Sequence, residues 1–389
     1  MDKLRAAIIG CGNFARGQNI PNALRSERIE IAWLCDPSPE ALEKAAALAG
    51  REVMRSRFAA EVLDDDTVDL AICAVPHAEH EPTVVAAAEA GKHIFTEKPM
   101  AITMEECYSI RRAVKRAGIK LCVDYNRAFA PAMQDFKAAY LAHRANPRQA
   151  PGAMEVLPAE PALPEAESST LIIRVQDEMS SYGPVHLDWH TGRGEILGET
   201  CHWMELVCWL FEETPCSVYA SGTSRTNHTV ILDFISGRQA IIIFAANGTF
   251  RFPKELYEIA DHAAFFRNVC FAENQVYGVA EVEERKIYPF TYDEKLQFEP
   301  REGHEGHVAA LNARADHFAK TGEWLNIGYD KGHFNLLDSF ARAILEDQPA
   351  PVDDRAGARA TYLSLRAIDS IRLGHPVPVN TEDWDQYIW

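Results

Sequence analysis

Basic residues are scarce: 39 Lys and Arg stand against 57 Asp and Glu in 389 residues, a formal net charge of −18. The deficit argues against a nucleic-acid partner, because phosphate-backbone binding rests on clustered Lys and Arg. It does not exclude an anionic cofactor, since helix N-termini and single cations set the potential inside a cleft. Apolar runs of membrane-spanning length are missing. The opening Met1-Asp2-Lys3-Leu4-Arg5 passes straight into a strand pattern, without the apolar stretch of a secretion signal. The nine cysteines are odd in number, scattered from Cys11 to Cys270 and free of CxxC spacing, which argues against a disulfide framework and fits reduced thiols in the cytoplasm. Gly (22) and Pro (21) are too few for a fibrous or largely disordered chain. What remains is a globular protein, 47% hydrophobic and long enough for two domains.

The first 125 residues alternate strand and helix patterns. Leu4 to Ile9 and Ile29 to Cys35 read as buried parallel strands, and Phe14 to Arg25 between them as a helix that Pro21 kinks or ends early. Ser38-Pro39 supplies an N-cap and a first-turn proline for a helix reaching Gly50. Strands follow at Val68 to Val75, His93 to Thr96 and Lys120 to Tyr125, with helices through Ala86 to Ala90 and from a Thr103/Glu106 capping box to Gly118. Such alternation predicts a doubly wound parallel sheet of the Rossmann type, whose ligands sit beyond the carboxyl ends of its strands.

Functional residues are therefore expected just after strands. Gly10-Cys11-Gly12-Asn13-Phe14-Ala15 follows the first strand as GxGxxA, with glycines for the tight turn and close approach to a pyrophosphate, and Ala15 for close helix packing. Alone, the motif equally suits a tight turn with no ligand. Asp36, at the end of the second strand, adds a carboxylate placed to accept the ribose hydroxyls and repel a 2′-phosphate; Pro37 and Ser38 offer no Arg to neutralise that phosphate, so NAD is favoured over NADP.

Ala90-Gly91-Lys92-His93-Ile94-Phe95-Thr96-Glu97-Lys98-Pro99 resembles the AGKHV-x-x-EKP signature of the Gfo/Idh/MocA oxidoreductases. Val75-Pro76-His77 and His80 resemble that family's nicotinamide-side loop, and Val123 to Arg127 with Pro131 its crossing into a second domain. The resemblance implies cofactor contacts at Pro76, His77, His80 and Glu97, a cis Lys98–Pro99 bond, and a Lys98 that orients the substrate and assists proton transfer. Physically, a lysine in an apolar or electropositive cleft can have its pKa depressed enough to exchange a proton. Glu97 can pair with Lys98, support the turn or contact the cofactor ribose.

After Tyr125 the alternation fails. Strand patterns at Leu171 to Val175, Ser217 to Ser221, Thr229 to Ile235 and Gln239 to Phe244, with helices at Ile196 to Phe211 and from Phe334, predict an open, mainly antiparallel α+β domain over residues 126–389. One sheet face is left for a homodimer or homotetramer interface. Five prolines between Asn146 and Glu167 preclude a regular element there and indicate an inserted loop or arm.

Gly192 to Trp203 resembles the family's GGG-x-x-x-D-x-x-x-H helix, with His202 as the histidine but Gly198 at the acid position and the carboxylate moved to Glu199. Residues three apart on a helix are neighbours, so Glu199 is placed to orient or charge-couple His202. A neutral histidine with a pKa near neutrality suits the general-base role. Tyr125, Arg127, Trp189, His190 and Arg193 are candidate substrate contacts, either arginine being able to clamp an anionic substituent. Neither Cys201/His202/Cys208 nor Gly303-His304-Glu305-Gly306-His307 has a recognised metal-ligand spacing.

Three functions compete. The first is NAD-dependent oxidation of a secondary alcohol on a sugar, sugar derivative or cyclitol, with Lys98 orienting the substrate and His202 removing the proton. The second is glycoside hydrolysis by transient oxidation and elimination. The third is a cofactor-binding regulator without catalysis, against which the presence of both Lys98 and His202 argues.

Overall fold

The computed structural model describes residues 3–50, 52–147, 169–178, 188, 192–249, 251–278, 282–323 and 325–385. Most of the proline-rich stretch, with Trp189 and His190, lies outside these residues.

Six short strands, β1 (Leu4–Ile9), β2 (Ile29–Cys35), β3 (Met54–Ser56), β4 (Leu70–Cys73), β5 (His93–Thr96) and β6 (Leu121–Val123), pair in parallel in the order β3-β2-β1-β4-β5-β6. The order turns back at β1, so a crevice opens between the ends of β1 and β4, where this topology receives ligands. β1 and β4 are buried on both faces, as sheets covered by helices require. Local chemistry sets the helix ends. The Ser38 hydroxyl accepts from the Ala41 N–H, Thr103 accepts from the Glu106 N–H, and Gly50 and Gly118 close the two helices at φ 65° and 67°. Pro21 does not end its helix early: a wide π turn, Ala15–Asn19, leads into Ile20–Arg25, where Pro21 sits in the first turn and its missing N–H goes unneeded.

The second sheet has nine strands: β7 (Thr170–Gln176), β8 (Ser217–Gly222), β9 (His228–Asp233), β10 (Gln239–Ala245), β11 (Glu255–Asp261), β12 (Ala264–Val269), β13 (Glu273–Tyr277), β14 (Val282–Ile287) and the short β17 (Val377–Pro378). A small pair, β15 (Phe290–Tyr292) with β16 (Ile327–Tyr329), stands apart. The nine-strand order is β14-β13-β12-β11-β7-β10-β9-β8-β17, antiparallel except where β7 meets β10. Alternation along β7 and β10 turns Leu171, Ile173, Val175, Ala240, Ile242 and Phe244 inward against helices Pro131–Ala145, Cys201–Phe211 and Asp354–Leu373. Ile172 and Ile243 face out, 36% and 40% exposed.

Helix His333–Leu345 lies late in the sequence but fills the first core: Leu336, Leu337, Phe340 and Ala341 pack among the β1–β6 residues, with Phe340 on Phe95. Gly332, ahead of it at φ 89°, is locked in place, since a Cβ there would lie 2.3 Å from the Asn126 carbonyl oxygen. The turn at residues 331–333 is thus pressed onto the crossover at 126–130. No helix among the described residues is long and apolar enough to cross a membrane.

Candidate active site

The loop after β1 is shaped by backbone contact. Gly10, at φ 92°, has no room for a Cβ, which would meet the Ala74 carbonyl oxygen at 2.2 Å. Gly12 has open space where its Cβ would be, and Gly12, Asn13 and Phe14 are exposed while Ala15 is buried against the sheet. Asp36 fastens this loop: one carboxylate oxygen accepts from the Cys11 N–H at 2.8 Å and the other from the Ser38 N–H at 2.8 Å. A carboxylate has lone pairs beyond these two, so ribose hydroxyls can still be received. The fold brings Arg57 from beyond β3 to donate to the Pro37 carbonyl at 3.0 Å.

After β4, Pro76 is exposed and His77 half-buried beside Gly198. His80 is fully buried, its ring nitrogens 2.7 Å from the Pro99 carbonyl and 3.0 Å from that of Val75. It therefore ties the 75–80 loop to the Lys98–Pro99 turn. The Lys98–Pro99 bond is cis. Glu97 is buried, accepts from Asn19 Nδ2 at 2.9 Å, and has its pKa raised well above the usual carboxylate range by burial and by the neighbouring Asp124. It does not pair with Lys98.

Lys98 is gripped from the second domain. Its ammonium donates to the Gly198 carbonyl at 2.7 Å and to Glu199 Oε1 at 2.6 Å. Burial works to lower its pKa, but the Glu199 carboxylate more than offsets this and holds it above the ordinary value. The expectation of a depressed Lys98 pKa is overturned: the group stays an ammonium, with two of its three N–H donors engaged. Burial works to raise Glu199, but Lys98, with help from Lys254 and Arg127, brings it down to about 2. Glu199 thus serves Lys98, and no bond joins it to His202.

The segment carrying these residues is a π turn, Ile196–Thr200, running into helix Cys201–Phe211. Such single wide turns recur at functional sites. Its bracing comes from Thr200, whose hydroxyl meets His228 Nε2 at 2.7 Å. His202 is 6% exposed, lies edge-on to Tyr125, and has no partner for Nδ1 among the described residues. Burial, followed by the charges of Arg127, Lys98, His333 and Lys254, lowers its pKa well below the ordinary histidine value. His202 is neutral, as expected, but a weaker base than an unperturbed imidazole.

Lys98, Glu199 and His202 line one cleft of about 250 Å³ with Phe14 of the dinucleotide loop, Glu97, Asn126 and Arg127. Of the remaining substrate candidates, Tyr125 is buried behind His202, and Arg193 does not line the cleft; its charge acts on Glu106 at the start of helix Met104–Ala117. Arg127 faces the cleft, but its Nε and Nη2 already hold Glu255 at 2.8 and 3.0 Å. Sequence reasoning missed Lys254, Lys331 and His333, which complete the lining. No local motif marks them; only the fold brings them opposite Lys98.

Glu195, just before the π turn, is 1% exposed, and its Oε1 has no partner among the described residues. Burial, then Glu199, raises its pKa to about 8. A carboxyl whose folded pKa exceeds its unfolded value gives stability present in full at acid pH and lost as pH rises, here from about 4.5 to about 8. Glu195→Gln removes the ionisation. Thermal melting is expected to show the variant stabilised at pH 9 by on the order of 4 kcal/mol and unchanged near pH 4. Equal shifts at both pH values would contradict a buried, protonated Glu195.

The fold is a Rossmann-type parallel sheet joined to an α+β domain whose residues share a cleft with Lys98. Residues 4–125 match the family model described as an oxidoreductase family with an NAD-binding Rossmann fold. Over those residues the chain is similar to the Gfo/Idh/MocA oxidoreductases. It is 31% identical over 137 residues to the scyllo-inositol 2-dehydrogenase (NAD(+)) of Bacillus subtilis, covering 35% of this chain and 39% of that protein. With the D-apiose dehydrogenase of Paraburkholderia graminis it shares 35% identity over 133 residues, 34% of this chain and 35% of that protein. The matches thus span little more than a third of these curated relatives. The fold of the WlbA dehydrogenase from Bordetella pertussis, solved with NADH and UDP-GlcNAcA, superposes with a TM-score of 0.69 at 20% identity, over 97% of this chain and 98% of that one. That likeness shows a shared fold. The cofactor is NAD, and the residues leave room for it: an exposed Gly12 that a backbone-hugging pyrophosphate can approach, and an Asp36 carboxylate with lone pairs beyond its two backbone bonds.

Proposed function

We propose that the protein catalyses NAD-dependent oxidation of a secondary alcohol on a sugar, sugar derivative or cyclitol. One observation carries this reading: an ammonium fixed by two bonds, Lys98, and a neutral imidazole, His202, line the same cleft as Phe14 of the dinucleotide loop. Bound NAD supplies the hydride acceptor. The third Lys98 N–H donates to the substrate hydroxyl oxygen, favouring the alkoxide that develops as the carbon loses hydride. An imidazole nitrogen of His202 takes the proton, and a ketone is left. Glu199 keeps Lys98 charged and aimed. Asp36 and the Gly10–Ala15 loop hold the nucleotide end.

A panel of free sugars, cyclitols and sugar acids, with matching aryl glycosides, monitored at once for NADH absorbance and aglycone release, tests the reading. Accumulating NADH supports it. Aglycone release without net NADH moves the protein to glycoside hydrolysis by transient oxidation. NAD binding with no turnover across the panel defeats catalysis. The outward face around Ile172 and Ile243 supports a homodimer or homotetramer; a monomeric mass by light scattering would refute it.

A further inference from the structure

Lys254 and Lys331 have no part in holding Lys98 or in the proton transfer assigned to His202, yet both face the cleft. Their counter-charges lie behind them. Asp177, with a side chain 1% exposed, takes Lys254 at 2.6 Å. Glu255, 0% exposed, accepts both Arg127 bonds and is also, among the described residues, the ion-pair partner of Lys331, at 3.5 Å. One buried carboxylate therefore serves two cations, and the guanidinium has the better share. Charge-assisted bonds are normally about 2.7–2.9 Å long, so the Lys331 contact leaves most of its donor capacity unused. On the other wall Glu97 is kept protonated by burial, and Asp124, 2% exposed, turns to His333 Nδ1 at 3.0 Å. The surface offered to a ligand thus has a local positive excess at Lys331.

Lys331 also stands on a rigid support. Asn126 Nδ2 donates to its carbonyl at 2.7 Å, Asp330 Oδ1 receives the Gly332 N–H at 2.8 Å, and Gly332 is jammed against the 126–130 backbone. An ammonium pre-placed in this way, partly exposed, cationic and outside the hydride and proton steps, is a docking point for an anion.

We propose that the substrate is a carboxylate-bearing sugar derivative whose carboxylate is received by Lys331, with Lys254 extending the cationic wall. This rests on the dehydrogenase reading of the same cleft.

The test uses NAD-loaded protein with D-glucuronate, D-galacturonate, D-gluconate and L-tartrate, each against D-glucose, D-galactose and myo-inositol, read by calorimetric binding and by NADH formation. At least one carboxylate is expected to bind about tenfold or more tightly than the neutral compounds, with binding weakened by added salt. Lys331→Gln should weaken that binding by about tenfold or more, and Lys331→Arg should restore it to within about threefold. The loss should appear in KM, with kcat little changed. NADH formation from neutral compounds with no carboxylate preference overturns this proposal and leaves the dehydrogenase intact. Lys331-dependent carboxylate binding without NADH formation does the reverse. Failure of all four carboxylates to bind, or equal binding by Lys331→Gln, overturns it as well.

Discussion

Lys98→Met is expected to lower turnover by about 10³-fold while NAD affinity stays within about threefold. Methionine keeps the length and apolar stem of the side chain but removes all three N–H donors. Two of these position the group, on Gly198 and Glu199, and the third is the donor for the substrate oxygen. The loss should fall on kcat, because the donor matters most where negative charge develops on oxygen. NADH formation by wild-type and variant, each with whichever panel compound is oxidised, measures it; equal rates would remove Lys98 from the chemistry. Removing the ammonium also leaves Glu199 buried without its main counter-charge, so Glu199 is expected to take up a proton near neutral pH in the variant.

The nucleotide half of this site could be read from the sequence because its determinants are local. GxGxxA, Asp36 and the Glu97-Lys98-Pro99 turn each lie at the end of a strand whose apolar run is unambiguous. The substrate half could not. Apart from Arg127, its lining residues Lys254, Lys331 and His333 come from segments up to about 80 residues apart and meet only through tertiary packing. The meander β11–β14 escaped notice for a related reason. β14, Val-Glu-Glu-Arg-Lys-Ile, is exposed along nearly its whole length as an edge strand, and β11 opens on Glu255, a buried acid that looks like a surface residue until Arg127 is found against it. Helix Gly303–Thr321 was obscured by Gly303 and Gly306 in its first turn. At His202 the sequence showed the imidazole but not its burial or the cations Arg127, Lys98 and Lys254 around it, so its basicity was overestimated. The displaced acid is the instructive case. A straight helix points Glu199 toward His202, whereas the π turn at Ile196–Thr200 presents the Gly198 carbonyl and the Glu199 carboxylate together to Lys98.

Glu199→Gln therefore has two separable consequences. The first is on stability. Glu199 titrates at about 2 in the folded chain against an ordinary value of 4.5, a depressed acid. Its stabilisation is fully present above the unfolded value and is lost as pH falls from about 4.5 toward 2. The gap is worth about 3 kcal/mol at neutral pH, in line with the cost of stripping one partner from a buried ion pair. Denaturant unfolding at pH 7 should show that loss, and the acid-dependent part of the stability profile should flatten. The second consequence is on catalysis. Without the carboxylate, burial is the main influence left on Lys98, and its pKa falls. The alkaline limb of the kcat profile should move to lower pH, so that the variant approaches wild-type activity in mildly acid buffer and loses it progressively as pH rises. The double variant Lys98→Met/Glu199→Gln should recover most of the lost stability but none of the activity, because it removes both charges from the buried site together. A variant that is destabilised but keeps the wild-type pH profile would mean that Glu199 holds the helix in place and does not tune Lys98.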